Sequence, residues 1–319
     1  MKYVFFDIEC ACVFKNVAKI CAFGYVVADE NFRVLAREDI LINPKGKFHL
    51  TDRKGNEGIV LPYEYDEFKN HPPFPAVYSK IKGLLEEKGV LVFGHATMND
   101  VNYLNLETKR YKLPSFRFPF YDTQFLFMNT EGNFSRQYGL QAMAEALGVA
   151  YTPHRAADDA YATMCVLEAL LKRENATAEE LFARFGIRPG KVSGYRIALQ
   201  NSSAREEYLK KKEREREVRS RARVKFFRFV DKNMRKRNQS GALEGKVVCF
   251  SKELEEEAEF SIELVKAVFA CGGRYTSKPR ECNVYIAREE SGVRLENARK
   301  AGAAFLPLEE ALLLLGVSA

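Results

Sequence analysis

No two of the seven cysteines stand as a CxxC pair; they scatter at positions 10, 12, 21, 165, 249, 271 and 282. Neither a zinc framework nor a disulfide array is therefore indicated. Cys10 and Cys12 form a CxC, but no nearby His or Cys completes a site, and buried free thiols are the simpler reading. No apolar run reaches the ~18 residues of a membrane-spanning helix. The first apolar run stops at Asp7, too short for a secretory signal. No internal repeat occurs. Together these absences predict a soluble, cytoplasmic protein. Most of the chain also lacks any excess of charge. The net charge is +7, yet residues 205–237 alone hold fifteen Lys and Arg against six Asp and Glu, a balance of +9. The remainder sums to −2, so the basicity is a property of one segment.

What is present fits about two domains in 319 residues. The first ~185 residues alternate strand-like and helix-like patterns. YVFFDIEC (3–10), KICAFGYVVAD (19–29) and FRVLAREDILIN (32–43) read as three strands in a meander. A polar stretch with Gly and Pro runs from Pro44 to Pro75, followed by a helix near 76–87. VLVFGH (90–95) and RFPFYDT (117–123) read as further strands, with strands one and four adjacent. YGLQAMAEALGV and DDAYATMCVLEALLKR carry apolar residues at helical spacing. The boundaries this predicts are 1–185 for a first α/β domain, 186–240 for a basic helical linker, and 241–319 for a smaller α/β domain.

Chemistry gathers where acids end apolar elements. Asp7 and Glu9 stand two apart at the end of a buried strand and so share a face. GHATMND places Asp100 after the second such strand, and PHRAADDA places His154, Asp158 and Asp159 at the opening of a helix. Strand ends in open α/β sheets converge on a ligand crevice. Carboxylates favour hard cations such as Mg²⁺ or Mn²⁺. Two such ions about 4 Å apart in an acid cage are the machinery of phosphodiester hydrolysis, and a neutral histidine can take the proton of the attacking water.

FDIE, GHATMND and HRAADDA resemble the three exonuclease motifs of the DEDD superfamily, and the HxAxxDA spacing resembles its histidine-bearing branch, DEDDh. That branch includes the epsilon proofreading subunit of bacterial DNA polymerase III and relatives acting on RNA. The resemblance spans roughly residues 1–173. It implies a ribonuclease H-like fold: a mixed five-stranded sheet, three strands antiparallel and two parallel, flanked by helices. It implies that Asp7, Glu9, Asp100 and Asp159 bind two divalent ions, Mg²⁺ or Mn²⁺, with His154 the general base. Helical geometry alone would favour Asp158, at i+4, for the histidine's face; the motif offset selects Asp159. The implied reaction removes nucleoside monophosphates from a 3′ end. The sequence departs from the family pattern at Cys10 and Ala11, where threonine is usual, and at Ala96 and Asn99, where asparagine and phenylalanine are usual. His95 reads as a supporting or core residue and not as a base; Asp122 resembles the Asp of an Asp-Thr pair that often follows the next strand in this family, and helix capping explains it at least as well.

The segment 205–237 contains neither Gly nor Pro and carries Glu-to-Lys/Arg pairs at i,i+4, which predicts a long exposed helix. It serves either as a spacer or as a contact to nucleic-acid phosphates, with Phe226, Phe227 and Phe229 as stacking or packing surface. Residues 243–316 resemble a BRCT domain, with GKVVCFS as first strand and CGG as the glycine pair, though the usual tryptophan is absent. The resemblance implies a DNA-end or protein partner and makes Ser251 and Arg294 the positions matching a phosphate site. The expected function is 3′-to-5′ degradation of single-stranded or frayed ends in DNA repair or proofreading, DNA being favoured over RNA. The alternatives are RNA trimming, or a catalytically weak adaptor.

Overall fold

The structure is a computed structural model and describes residues 1–14, 16–46, 65–151, 155–238 and 240–317. His154, the expected base, lies outside the described residues, as does most of the polar stretch after Pro44. The chain divides into two compact units, Met1–Leu209 and Lys210–Ala319.

In the first unit β1 (Lys2–Phe14), β2 (Val17–Asp29) and β3 (Val34–Leu41) form an antiparallel meander. Helices α1 (Tyr65–Lys69) and α2 (Phe74–Leu85) lead to β4 (Val90–Gly94), which pairs in parallel with β1. Next come α3 (Met98–Arg110), β5 (Phe118–Asp122), α4 (Thr123–Thr130), α5 (Leu140–Leu147), α6 (Ala156–Glu174) and α7 (Ala178–Phe185). The apolar run of β1 is buried on both faces because helices cover both. Val4, Phe6 and Ile8 join one core with α2 and α3, while Tyr3 and Phe5 join the other with α4, α5 and α6.

The sheet is wider than the five strands predicted. Its order is β3-β2-β1-β4-β5-β7-β8, where β7 (Gly190–Ser193) and β8 (Arg196–Ala198) form a hairpin on β5. Gly194 and Tyr195 both have positive φ, +57° and +61°, the backbone of a two-residue type I′ turn. The short strands β6 (Ile187–Arg188) and β9 (Asn201–Ser202) pair with each other. Residues 187–202, which composition assigns to the linker, are thus part of the first unit. Strands of two to four residues carry too little periodicity to be visible in sequence.

Helix α8 (Ser203–Asn233) starts in the first unit and continues into the second. Its distal part is not a free spacer: Phe226 and Val230 are buried in the second unit's core, with the Phe226 ring 5.1 Å from Tyr275 and 5.9 Å from Phe250. Phe226 is therefore packing rather than stacking surface. The second unit contains β10 (Val247–Phe250), α9 (Lys252–Glu256), α10 (Ala258–Ala270), β11 (Arg274–Tyr275), β12 (Val284–Ala287), α11 (Val293–Lys300), β13 (Ala304–Pro307) and α12 (Leu308–Leu315). Its four strands are parallel, in the order β11-β10-β12-β13. Gly272, with φ +84°, makes the turn between α10 and β11. No helix among the described residues is long and apolar enough to cross a membrane.

Candidate metal centre

Period-two geometry along β1 points Asp7 and Glu9 to the face covered by α6. The strand bulges directly after Glu9, where the register against β2 shifts; bulges of this kind re-aim side chains. The start of α6 supplies the third acid. It descends onto the sheet at Gly24 of β2, which pairs with Asp7. A Cβ at Gly24 would lie 1.9 Å from the carbonyl carbon of Ala156 and 2.1 Å from the nitrogen of Ala157. Only a residue without a side chain lets the helix come that close. The result is a triad: carboxylate oxygens of Asp7, Glu9 and Asp159 all lie within 4.8 Å of one another.

The two acids opening α6 diverge. Asp158 turns to an ion pair with Arg37 of β3, whose guanidinium also lies 4.6 Å from the Tyr161 ring centre. Asp159 turns inward, where its Oδ1 accepts a 2.7 Å hydrogen bond from the Tyr151 hydroxyl. Asp100, in the first turn of α3, is buried beside Asp7 rather than within the triad, and is the strongest charged neighbour acting on Asp7. The Ile8 amide, between the two β1 acids, helps hold its anion.

Crowding acids in a poorly solvated place favours their protonated forms. Burial, then the charges of Asp100, Glu9 and Asp159, hold the Asp7 carboxyl well above its usual range. Burial, then Asp159 and Asp39, push Glu9 up to about 8. Burial first and foremost also raises Asp100. A donor set of clustered carboxylate oxygens, each disfavoured as an unaccompanied anion, fits a hard divalent cation.

Supporting residues surround the acids. Asp122 caps α4 through the Gln124 amide at 2.9 Å, and its two oxygens also accept from the Ala96 and Thr97 amides at 3.0 Å. It thereby fixes the turn that launches α3 and Asp100. Ala96 sits in that turn at φ +51°, a left-handed conformation that asparagine adopts more readily than alanine. His95 bonds Thr123 Oγ1 at 3.2 Å through Nδ1, and burial lowers it to about 4, so it is a neutral structural group. Sequence reasoning did not find Gly24 or Tyr151. A glycine inside an otherwise apolar strand is the one signal that pointed to the first.

In the second unit Ser251 caps α9, its Oγ accepting from Leu254 N at 3.4 Å. Arg294 is held by buried Glu255 at 2.8 Å and donates to the carbonyls of Phe250 and Ser277. Glu255 also takes Arg223 of α8 at 2.6 Å and the Tyr275 hydroxyl at 2.8 Å. Arg294 is thus engaged internally and does not stand free for a phosphate.

The profile of the Exonuclease (RNase_T) family matches residues 4–167. No curated protein sequence matches the chain. Among solved structures the chain is similar to a full-length 3′-exonuclease, at 16% identity and a TM-score of 0.51, covering 63% of this chain and 67% of the other. It is also similar to a 3′-exonuclease from a structure of 3′-end recognition of the histone mRNA stem-loop, at 16% identity and a TM-score of 0.50, covering 63% and 71%. At that identity these likenesses bear on the fold alone.

Proposed function

This chain belongs to the Exonuclease (RNase_T) family, and we propose that it removes nucleoside monophosphates from the 3′ ends of single-stranded or frayed nucleic acid. The observation that carries this reading is the Asp7–Glu9–Asp159 triad within 4.8 Å, with Asp100 beside Asp7. Asp7, Glu9 and Asp159 would hold divalent metal, Mg²⁺ or Mn²⁺, and Asp100 would complete a site for two ions. When bound, such ions lower the pKa of the attacking water and stabilise the departing oxygen. The rest falls to the chain's own residues. Tyr151 holds the Asp159 carboxylate in one orientation. Asp122 fixes the turn from which Asp100 projects. His154, assigned by its motif offset, takes the water's proton as a neutral base.

DNA is the favoured substrate, in repair or proofreading. This rests on reading the second unit as a BRCT module, which its four parallel strands and Gly272 turn support, and on the association of such modules with DNA transactions. The module would engage a DNA end or a protein partner. RNA trimming is the second reading; one protein of similar fold is a 3′-exonuclease described in 3′-end recognition of a histone mRNA stem-loop. The deciding experiment digests 5′-labelled DNA and RNA oligonucleotides with Mg²⁺ or Mn²⁺, using wild type and Asp159→Asn. A ladder of shortened labelled products from wild type, abolished in the variant, is expected. Equal activity in both proteins contradicts the assignment to these residues, and no activity in either leaves the adaptor reading. Immediate release of the label as a mononucleotide contradicts the 3′-to-5′ direction.

A further inference from the structure

Residues 212, 216, 219, 220, 223, 224 and 227 recur at three- and four-residue spacing and so share one face of α8. With Lys252, Glu253 and Glu256 of α9 they line a groove of about 700 Å³ lying wholly within the second unit. Its wall carries five basic side chains, Lys212, Arg216, Arg219, Arg223 and Lys252, against two acids. Those acids neutralise little of it. Glu256 is shared by Arg219 at 3.9 Å and Lys252 at 3.7 Å, beyond hydrogen-bond distance for both. Arg216 forms no ion pair among the described residues. Lys212 pairs with Glu215 of its own helix at 3.6 Å, and Arg223 is satisfied by Glu255, lying 5.1 Å from the Phe227 ring centre.

The wall is also held in place. Phe226 and Val230, buried in the core, anchor the C-terminal part of this stretch of α8, and Arg219 and Arg223 face Glu256 and Glu255 of α9, while Lys212, Arg216 and Lys252 stay open to solvent where a polyanion can reach them. From residue 212 to 227 the helix rises about 22 Å, the span of several successive phosphates and far more than one free phosphate needs. We propose that this groove binds the phosphate backbone of single-stranded nucleic acid, giving the protein a contact to its substrate built from residues other than the acidic cluster. The choice of nucleic acid over another polyanion rests on the exonuclease reading above; the groove and its unneutralised charge do not.

The test is fluorescence anisotropy of a fluorescein-labelled oligothymidylate with the full chain in EDTA, over a range of salt. Arg216→Glu combined with Lys252→Glu is expected to weaken binding about tenfold or more near 0.1 M salt, and to reduce the slope of log Kd against log salt by roughly 1.4, the contribution of two phosphate contacts on a single strand. The charge-conserving pair Arg216→Lys and Lys252→Arg should bind like wild type, which separates charge from folding. The charge-reversed protein should still hydrolyse a trinucleotide at the wild-type rate, while Asp159→Asn should lose hydrolysis and keep binding. Failure of all hydrolysis would remove the nuclease reading and leave the anisotropy result standing on its own. Unchanged affinity and salt slope in the charge-reversed protein would overturn the proposal. So would displacement of the oligonucleotide by oligoglutamate at equal charge concentration, which would assign the groove to an acidic protein segment.

Discussion

Replacing Gly24 by alanine should damage the acidic centre without touching an acid. The added Cβ would meet Ala156 C at 1.9 Å, Ala157 N at 2.1 Å and Ala156 O at 2.3 Å, where ordinary carbon contacts sit at about 3.5–4 Å. All three atoms are backbone, so no side chain can swing aside. Gly24 is not in the left-handed region, which makes this a matter of space and not of backbone conformation. Relieving the overlap needs a shift of roughly 1.5 Å at the start of α6 or in β2. Asp159 lies two residues past Ala157, so its carboxylate moves too. Overpacking of this kind costs about 1–3 kcal/mol, or roughly 2–12 °C in Tm for a unit of this size. A displacement near 1 Å at a reacting centre reduces the rate about 10²-fold. Thermal melts with and without Mn²⁺, together with mononucleotide release, measure both effects. The Mn²⁺-induced rise in Tm should shrink along with the rate. Gly83→Ala is the control, because nothing lies within 4 Å of its new Cβ; in the last turn of α2 it should stabilise by at most ~1 kcal/mol. A Gly24→Ala protein with wild-type melting and rate would refute the view that this contact sets the position of Asp159.

Tyr151→Phe removes the hydroxyl that bonds Asp159 and should weaken Mn²⁺ affinity and turnover about 10- to 100-fold with little change in metal-free melting, as outer partners of metal ligands do; titration calorimetry and rates check both. Ala96→Asn should stabilise by about 0.5–1 kcal/mol in denaturant melts, because asparagine tolerates the φ of +51° at this turn; a loss of stability would show that the turn is not strained. In the metal-free protein burial, then the charges of Asp159 and Asp39, push Glu9 up to about 8 from the ordinary 4.5, and burial raises Asp7 and Asp100 as well. The folded state thus holds protons that the unfolded state has released, and this contribution to stability falls as pH rises from about 4.5 to 8. Melting in EDTA should therefore show a negative slope across that window which Glu9→Gln flattens; an identical slope in the variant would contradict the raised titration.

The parts of the centre legible in sequence were those written in contiguous residues. An apolar strand ending in two acids, GHATMND, and an acid pair opening a helix each announce themselves locally, and strands β1–β5 carry runs long enough to recognise. What escaped depends on residues meeting from afar. Gly24 inside an apolar strand signals a close approach but not that the start of α6 makes it, and Tyr151 gives no hint that its hydroxyl reaches Asp159. The outward turn of Asp158 follows from Arg37 on another strand. The β7–β8 hairpin escaped because each strand is only three or four residues long. The basic run of α8 left Phe226 open between stacking and packing and hid Val230: the two are four apart, a correct helical spacing, but sit among charges that dominate the composition.

Anomalous diffraction from crystals soaked in manganese puts the central claim to its most direct test. The account predicts strong peaks bounded by the carboxylate oxygens of Asp7, Glu9 and Asp159, with Asp100 alongside. Those oxygens splayed apart, with no anomalous density among them at millimolar Mn²⁺, would contradict it.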